Sequence, residues 1–178
     1  YDAANSIAKS WTVAADQTSI TFELRDDVEF HGNNGKLSAV DVAWSFNNAM
    51  RDGSVFYRVG SLQPYMNQWE VVDVDTVRLN WKEGQFLPWW VTNLSQTASA
   101  DPWMTSFRLV DTLGETKASQ VPVATGPYEV ESWRVGERMD LKAVQGHWRI
   151  TPEVETFSVI ELREPLTMVA AFKTGELD

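Results

Sequence analysis

The sequence predicts a mixed α/β fold, and three observations carry the prediction. Residues 19–25 alternate, with Ile20, Phe22 and Leu24 on one side and Thr21 and Glu23 on the other. Residues 38–50 place Ala39, Val42, Ala43, Phe46 and Ala49 at helical spacing. Two further alternating pairs, near 69–81 and 128–144, each flank a short turn. A period of two marks a half-buried strand and a period near 3.6 marks an amphipathic helix, so both element types are expected.

Taken in order, Trp11 to Val13 suggests a short strand, and Asp16-Gln17 a turn before the strand at 19–25. Val28 and Phe30 form a second short alternation ahead of a Gly/Asn-rich loop, His31 to Gly35. Ser38 then opens the helix as its N-cap, with Asp41 three residues on where Glu or Gln is the commoner choice. Arg51-Asp52-Gly53 ends it, glycine supplying a left-handed residue. Residues 54–68 show no clear period and are expected as loop with a helical turn. The strands 69–73 and 76–81 form a hairpin around Val74-Asp75, with Val77, Leu79 and Trp81 on one face. Gly84 to Asn93 is expected as a loop entering a short helix, and Trp103 to Val110 as another short helix. Tyr128–Trp133 and Arg138–Val144 form a second hairpin over residues 134–137, and Phe157–Leu162 a further strand. Pro165 suits the first turn of a helix reaching Lys173, and Gly175 its end.

Composition narrows the function. A net charge of −10 leaves no basic stripe to displace phosphate counterions, so a nucleic-acid partner is not expected. Without cysteine there is neither a disulfide framework nor a thiolate metal site. No apolar run reaches the 18 or so residues of a membrane-spanning helix. Tyr1-Asp2-Ala3 shows no signal-peptide pattern, and both ends look cut. Nine tryptophans are the compositional oddity; they suit stacking on sugars or peptide side chains, or simply the filling of a core.

Sites of chemistry are sparse. His31 and His147 are far apart, and neither has a histidine or carboxylate at helical spacing, so no metal and no cofactor are expected. Gly32 to Lys36 superficially looks like a phosphate loop. A true one needs a glycine where Phe30 stands and Ser or Thr where Leu37 stands, so a hairpin-like loop is the better account. Asp26-Asp27, or Asp73 with Asp75, could form an acid/base pair, but a solvated strand end or turn explains them equally, and no nucleophile motif accompanies them.

The order of Leu24-Arg25, Val28, Phe30-His31, the glycine loop, Leu37-Ser38-Ala39 and Asp41-Val42 resembles the signature of family 5 extracellular solute-binding proteins, roughly tytFxLRxxVxFHDGxPLTAxDVxxS. A second block supports the resemblance: Ala124-Thr125-Gly126-Pro127-Tyr128 for GTGPY, then His147-Trp148, Pro152, the strand Phe157 to Leu162 and a closing Gly175-Glu176-Leu177-Asp178. Departures are Gly32 in place of the aspartate after His31, Lys36 for proline, Val40 for glutamate, Ala124 for glycine and His147 for tyrosine.

The resemblance implies a periplasmic-binding-protein type II-like fold and a binding protein, not an enzyme. It implies the substrate-binding component of an ABC import system, capturing a peptide or similar oligomeric solute between two lobes. On that reading residues 1–120 are an accessory subdomain, residues 121–178 an incomplete part of lobe I, and lobe II is absent. Partners would be a peptide or oligosaccharide ligand and a membrane permease, with self-association of the fragment. The location would be extracytoplasmic, in the periplasm or at the cell surface, with a lipid anchor one option for the full-length protein. The resemblance also points to Phe56, Tyr57, Arg58, Ser95, Gln96 and Thr97 as ligand-binding residues. The alternative is a carbohydrate-active enzyme or an oligosaccharide-binding module, motivated by the tryptophans and acids.

Overall fold

The computed structural model of the chain describes residues 3–57, 59–82 and 103–177, in two compact units, Tyr1–Thr125 and Gly126–Asp178. The first unit holds a four-stranded antiparallel sheet of order β1-β2-β4-β3, from β1 (Ala8–Val13), β2 (Ser19–Leu24), β3 (Met66–Asp73) and β4 (Thr76–Trp81). Ile20, Phe22 and Leu24 of β2 share a face with Val77, Leu79 and Trp81 of β4, because the register sets Ile20 opposite Leu79 and Phe22 opposite Val77. Helix α1 (Ala39–Met50) buries Ala39, Val42, Ala43 and Phe46. Trp69 of β3 stacks between two rings, 4.2 Å from Phe46 and 5.6 Å from Phe22, joining helix to sheet. Where β3 could lose backbone pairing, the Asn47 amide replaces a strand: it accepts from Trp69 N at 3.0 Å and donates to Trp69 O at 2.8 Å.

Ser38 is the N-cap of α1 and the capping box forms, with the Asp41 carboxylate accepting from Ser38 N and Ser38 Oγ, both at 2.8 Å. The glycine loop is hairpin-like. Phe30 N donates to Gly35 O, Leu37 N to Val28 O, and Glu29 bridges Lys36. Gly32 (φ +65) and Gly35 (φ +91) supply the left-handed residues that reverse the chain. His31 is held through its backbone, its N–H donating to Ala124 O at 2.9 Å and its carbonyl accepting from Asn34 Nδ2 at 2.6 Å.

Several boundaries move. β1 starts at Ala8 and β3 at Met66, each three residues ahead of the alternation seen in sequence. Between α1 and β3 stands one helical turn, α2 (Val59–Leu62), whose Leu62 is fully buried. The helix expected at Trp103–Val110 is α3 (Phe107–Leu113); it starts later because Ser106 caps it, its Oγ accepting from Leu109 N. A further turn, α4 (Glu115–Ala118), follows. The loop and helix expected at Gly84 to Asn93 lie outside the described residues.

The second unit holds a three-stranded antiparallel sheet, β5 (Tyr128–Arg134), β6 (Arg138–Ala143) and β7 (Thr156–Ile160), with helix α5 (Pro165–Thr174). Pro165 opens α5, and Gly175 at φ +76 ends it. Tyr128, Val130, Leu141 and Phe157 align on one face, with Tyr128 edge-on to Phe157 at 4.7 Å. On the other face Asp140 of the central strand accepts from Ser132 Oγ and Ser158 Oγ, each at 2.7 Å, and from Arg138 Nε at 2.6 Å.

Candidate functional site

Two anchors on α1, a carboxylate and a hydroxyl, build one wall of a groove in the first unit. Asp41 and Ser45 lie one turn apart on the helix and are both buried. Asp41 Oδ1 accepts from Phe107 N at 2.7 Å, and Ser45 Oγ accepts from Thr105 N at 2.9 Å. The stretch 103–107 is therefore held alongside α1, running antiparallel to it, by backbone bonds to side chains, with the Trp44 ring 6.3 Å from that of Phe107. The opposite wall is the loop after α1. Ser54 Oγ accepts from Phe56 N at 3.1 Å, and Phe56 meets Tyr57 edge-on at 5.4 Å.

The resulting groove has a volume of about 550 Å³ and is walled by Trp44, Phe56, Tyr57 and Trp103, with Asn48 and Arg51 along α1. Trp103 is 86% exposed and Tyr57 71%, so both rings stand at its mouth. The Arg51 guanidinium is tied to both oxygens of Glu115, at 2.8 and 2.9 Å. Among the described residues no carboxylate lines the groove. Of the residues singled out in sequence, Phe56 and Tyr57 come together here, whereas Arg58, Ser95, Gln96 and Thr97 lie outside the described residues. Trp44 and Trp103 were missed as a pair. Trp44 had a local signal, because it is an apolar helix residue off the 39-42-43-46 stripe.

The acids considered for catalysis are placed otherwise. Asp27 receives both Nε and Nη2 of Arg25 at 2.7 Å, and that bond holds its carboxyl below the usual carboxylate range. Asp75 is also lowered, first by the Thr76 hydroxyl and then by the Lys9 charge. A general acid at neutral pH needs the opposite shift. Asp73 accepts from Val74 N at 2.7 Å, as a turn aspartate does. No group of three or more His, Asp or Glu side chains suited to a metal is present among the described residues. Nor is any helix among them long and apolar enough to cross a membrane.

A concave space walled by aromatic rings is the kind of place where proteins take up small ligands. Residues 3–178 match the family described as bacterial extracellular solute-binding proteins, family 5 Middle, and the chain belongs to that family. It is 25% identical over 170 residues to the dipeptide-binding protein of Escherichia coli K12, covering 84% of this chain and 31% of that protein. It is 26% identical over 173 residues to the glutathione-binding protein GsiB of Shigella flexneri, covering 97% and 32%. Among solved structures, the binding protein MoaA of A. tumefaciens R10, in complex with mannopinic acid, superimposes with a TM-score of 0.84 at 29% identity, covering 97% of this chain and 34% of that one. The mixed α/β fold is thus that of the matching part of periplasmic binding proteins, and the chain spans about a third of the length of the relatives it matches.

Proposed function

We propose that this chain is part of the substrate-binding receptor of an ABC importer, capturing a peptide or similar oligomeric solute outside the cytoplasmic membrane. The observation that carries this is family membership over residues 3–178, supported by relatives named for binding a dipeptide and glutathione. Residues 1–120 act as the accessory subdomain and residues 121–178 as part of lobe I, with lobe II outside this sequence. The mechanism is hinge closure of two lobes on the solute and delivery to a membrane permease, with no bond broken. The receptor works in the periplasm or at the cell surface.

Phe56 and Tyr57, which wall the groove, serve the ligand, and Arg58, Ser95, Gln96 and Thr97 are the further residues assigned to it. The lowered Asp27 and Asp75 support binding over acid/base catalysis. Calorimetry of the chain against peptides and oligosaccharides, with a parallel turnover assay, tests the reading. The expected result is binding in the millimolar range, because one side of a closing cleft supplies only part of the contacts, and no product. Sustained hydrolysis of a peptide or glycoside would overturn it. A dissociation constant near a micromolar would instead mean that the site is complete within this chain.

A further inference from the structure

We infer that Asn34 is the site at which this protein deamidates spontaneously, and that loss of its amide permanently unlocks the glycine loop 31–36. Asn34-Gly35 is the only asparagine–glycine pair in the sequence, and it lies in the loop where Gly32 and Lys36 depart from the family signature. Glycine carries no Cβ, so its backbone nitrogen is open to close approach. A hollow of about 180 Å³, lined by Asn33, Gly35 and Lys36 among others, brings water to this peptide unit.

The step balances with water as its one co-reactant. The Gly35 backbone nitrogen attacks Cγ of Asn34 and forms a new C–N bond. Its proton passes through solvent to the departing nitrogen, the Cγ–Nδ2 bond breaks, and ammonia leaves. Water then opens the five-membered imide at one carbonyl or the other, leaving aspartate or its β-linked isomer at position 34. The folded loop holds this step back. At Asn34 ψ is 13°, which sets the Gly35 nitrogen beside Asn34's own nitrogen and away from its Cβ, so ψ must rotate far before the ring can close. The Nδ2 group is also anchored, donating to His31 O at 2.6 Å and to Gly32 O at 3.4 Å. Attack therefore proceeds from an opened loop, and local opening sets its rate. The product cannot close in the same way. A carboxylate only accepts, so at position 34 it faces two carbonyl oxygens where the amide donated. The bonds that lose this support are Phe30 N to Gly35 O, at the neck of the loop, and His31 N to Ala124 O.

The test incubates the 178-residue chain in warm, mildly alkaline buffer, with and without urea, and maps its peptides by mass. The expected result is a gain of about 1 Da at Asn34 ahead of every other asparagine, at least about tenfold faster in urea than in the native chain. Amide hydrogen exchange reads the consequence. Asn34→Asp is expected to speed exchange at Phe30 and His31 about tenfold. Asn33→Asp, on the exposed neighbouring side chain, is expected to leave both rates unchanged. Asn34→Gly removes the donor without adding a charge and should fall between. The β2 amides, inside the sheet, are expected to stay protected in every variant, which separates a loosened loop from an unfolded unit. First deamidation at any other asparagine, or none at Asn34, overturns the site. Equal rates with and without urea overturn the protection by the fold. Unchanged exchange at Phe30 and His31 in Asn34→Asp, or general loss of protection in both Asn34 variants, overturns the role of the amide as a lock on this loop alone.

Discussion

In the first unit Ile20, Val77 and Leu79 are fully buried beneath α1, whereas in the second unit Phe157 and Val159, on the apolar face of their sheet, remain exposed. The helices differ in the same sense. On α1 Ala39, Val42, Ala43 and Phe46 fall on one buried stripe, and six of the helix's residues are buried. On α5, Leu166, Met168, Val169 and Phe172 point in different directions, all exposed, and none of the helix is buried. An amphipathic helix needs one covering surface, while a helix apolar all round is built for cover on several sides. The first unit therefore closes a core from its own elements, and the second, taken by itself, presents exposed apolar side chains.

The comparison is tested most severely at Trp69. Replacing Trp69 with alanine removes the ring held between Phe22 and Phe46 and is expected to destabilise the first unit by about 3–5 kcal/mol in urea unfolding. Phe157→Ala, at a ring already partly in water, should cost only about 1 kcal/mol. Equal losses at the two positions would erase the distinction between a closed and an open core.

Next in size is Asp41→Ala. It removes an acceptor shared by Ser38 and Phe107, and a buried donor left unpaired costs about 1–3 kcal/mol. The expected loss is about 2 kcal/mol, with altered Trp44 fluorescence as the 103–107 stretch comes away from α1. Asp41→Asn, which keeps one carbonyl acceptor, should fall between. An unchanged Trp44 signal would mean that Asp41 caps the helix and does nothing for the groove.

That dual role marks where sequence reading stops. Ser38 and Asp41 announce a helix start because the two partners lie within one turn, and β2 and β4 show their faces because alternation is local. Pro165 and Gly175 likewise bracket α5 by backbone conformation alone. The bonds from Phe107 to Asp41 and from Thr105 to Ser45 span 66 and 60 residues, and no local pattern encodes them. The Asn47 amide that pairs with Trp69 spans 22 and looks in sequence like any polar helix residue. Trp103 suited a helix by composition, but the cap at Ser106 leaves it outside, where it walls the groove. The fold was legible from periodicity; the groove depends on distant backbone groups meeting helix side chains.

The polar face of the second sheet offers a smaller effect, read through pH. Asp140 is held well below the usual carboxylate range by the Ser132 and Ser158 hydroxyls and then by Arg138. A carboxylate with a depressed pKa in the folded state stabilises the fold above its unfolded value, near 4, and the contribution is lost as pH falls through the folded value. Unfolding of the second unit should therefore become easier on acidification below about pH 4. Asp140→Asn should flatten that limb of the profile, and an identical profile in the variant would show that the hydroxyl cluster is pH-silent.

The smallest effect on stability is expected where exposure is greatest. Leu166 is 85% exposed and Phe172 64%, so Leu166→Ser and Phe172→Ser should each change stability by no more than about 0.5 kcal/mol. Their effect should appear in association instead. Exposed apolar surface is driven to pair, and Leu166, Val169 and Phe172 of α5 and Phe157 and Val159 of β7 are exposed in this unit. Sedimentation of the wild-type chain is expected to show a concentration-dependent rise in mass, and the double variant Leu166→Ser/Phe172→Ser a monomer over the same range. If the double variant associates as strongly as the wild type, the open face of the second unit does not drive pairing. If it unfolds, α5 is covered in solution, and the contrast with α1 fails at the helix on which it was drawn.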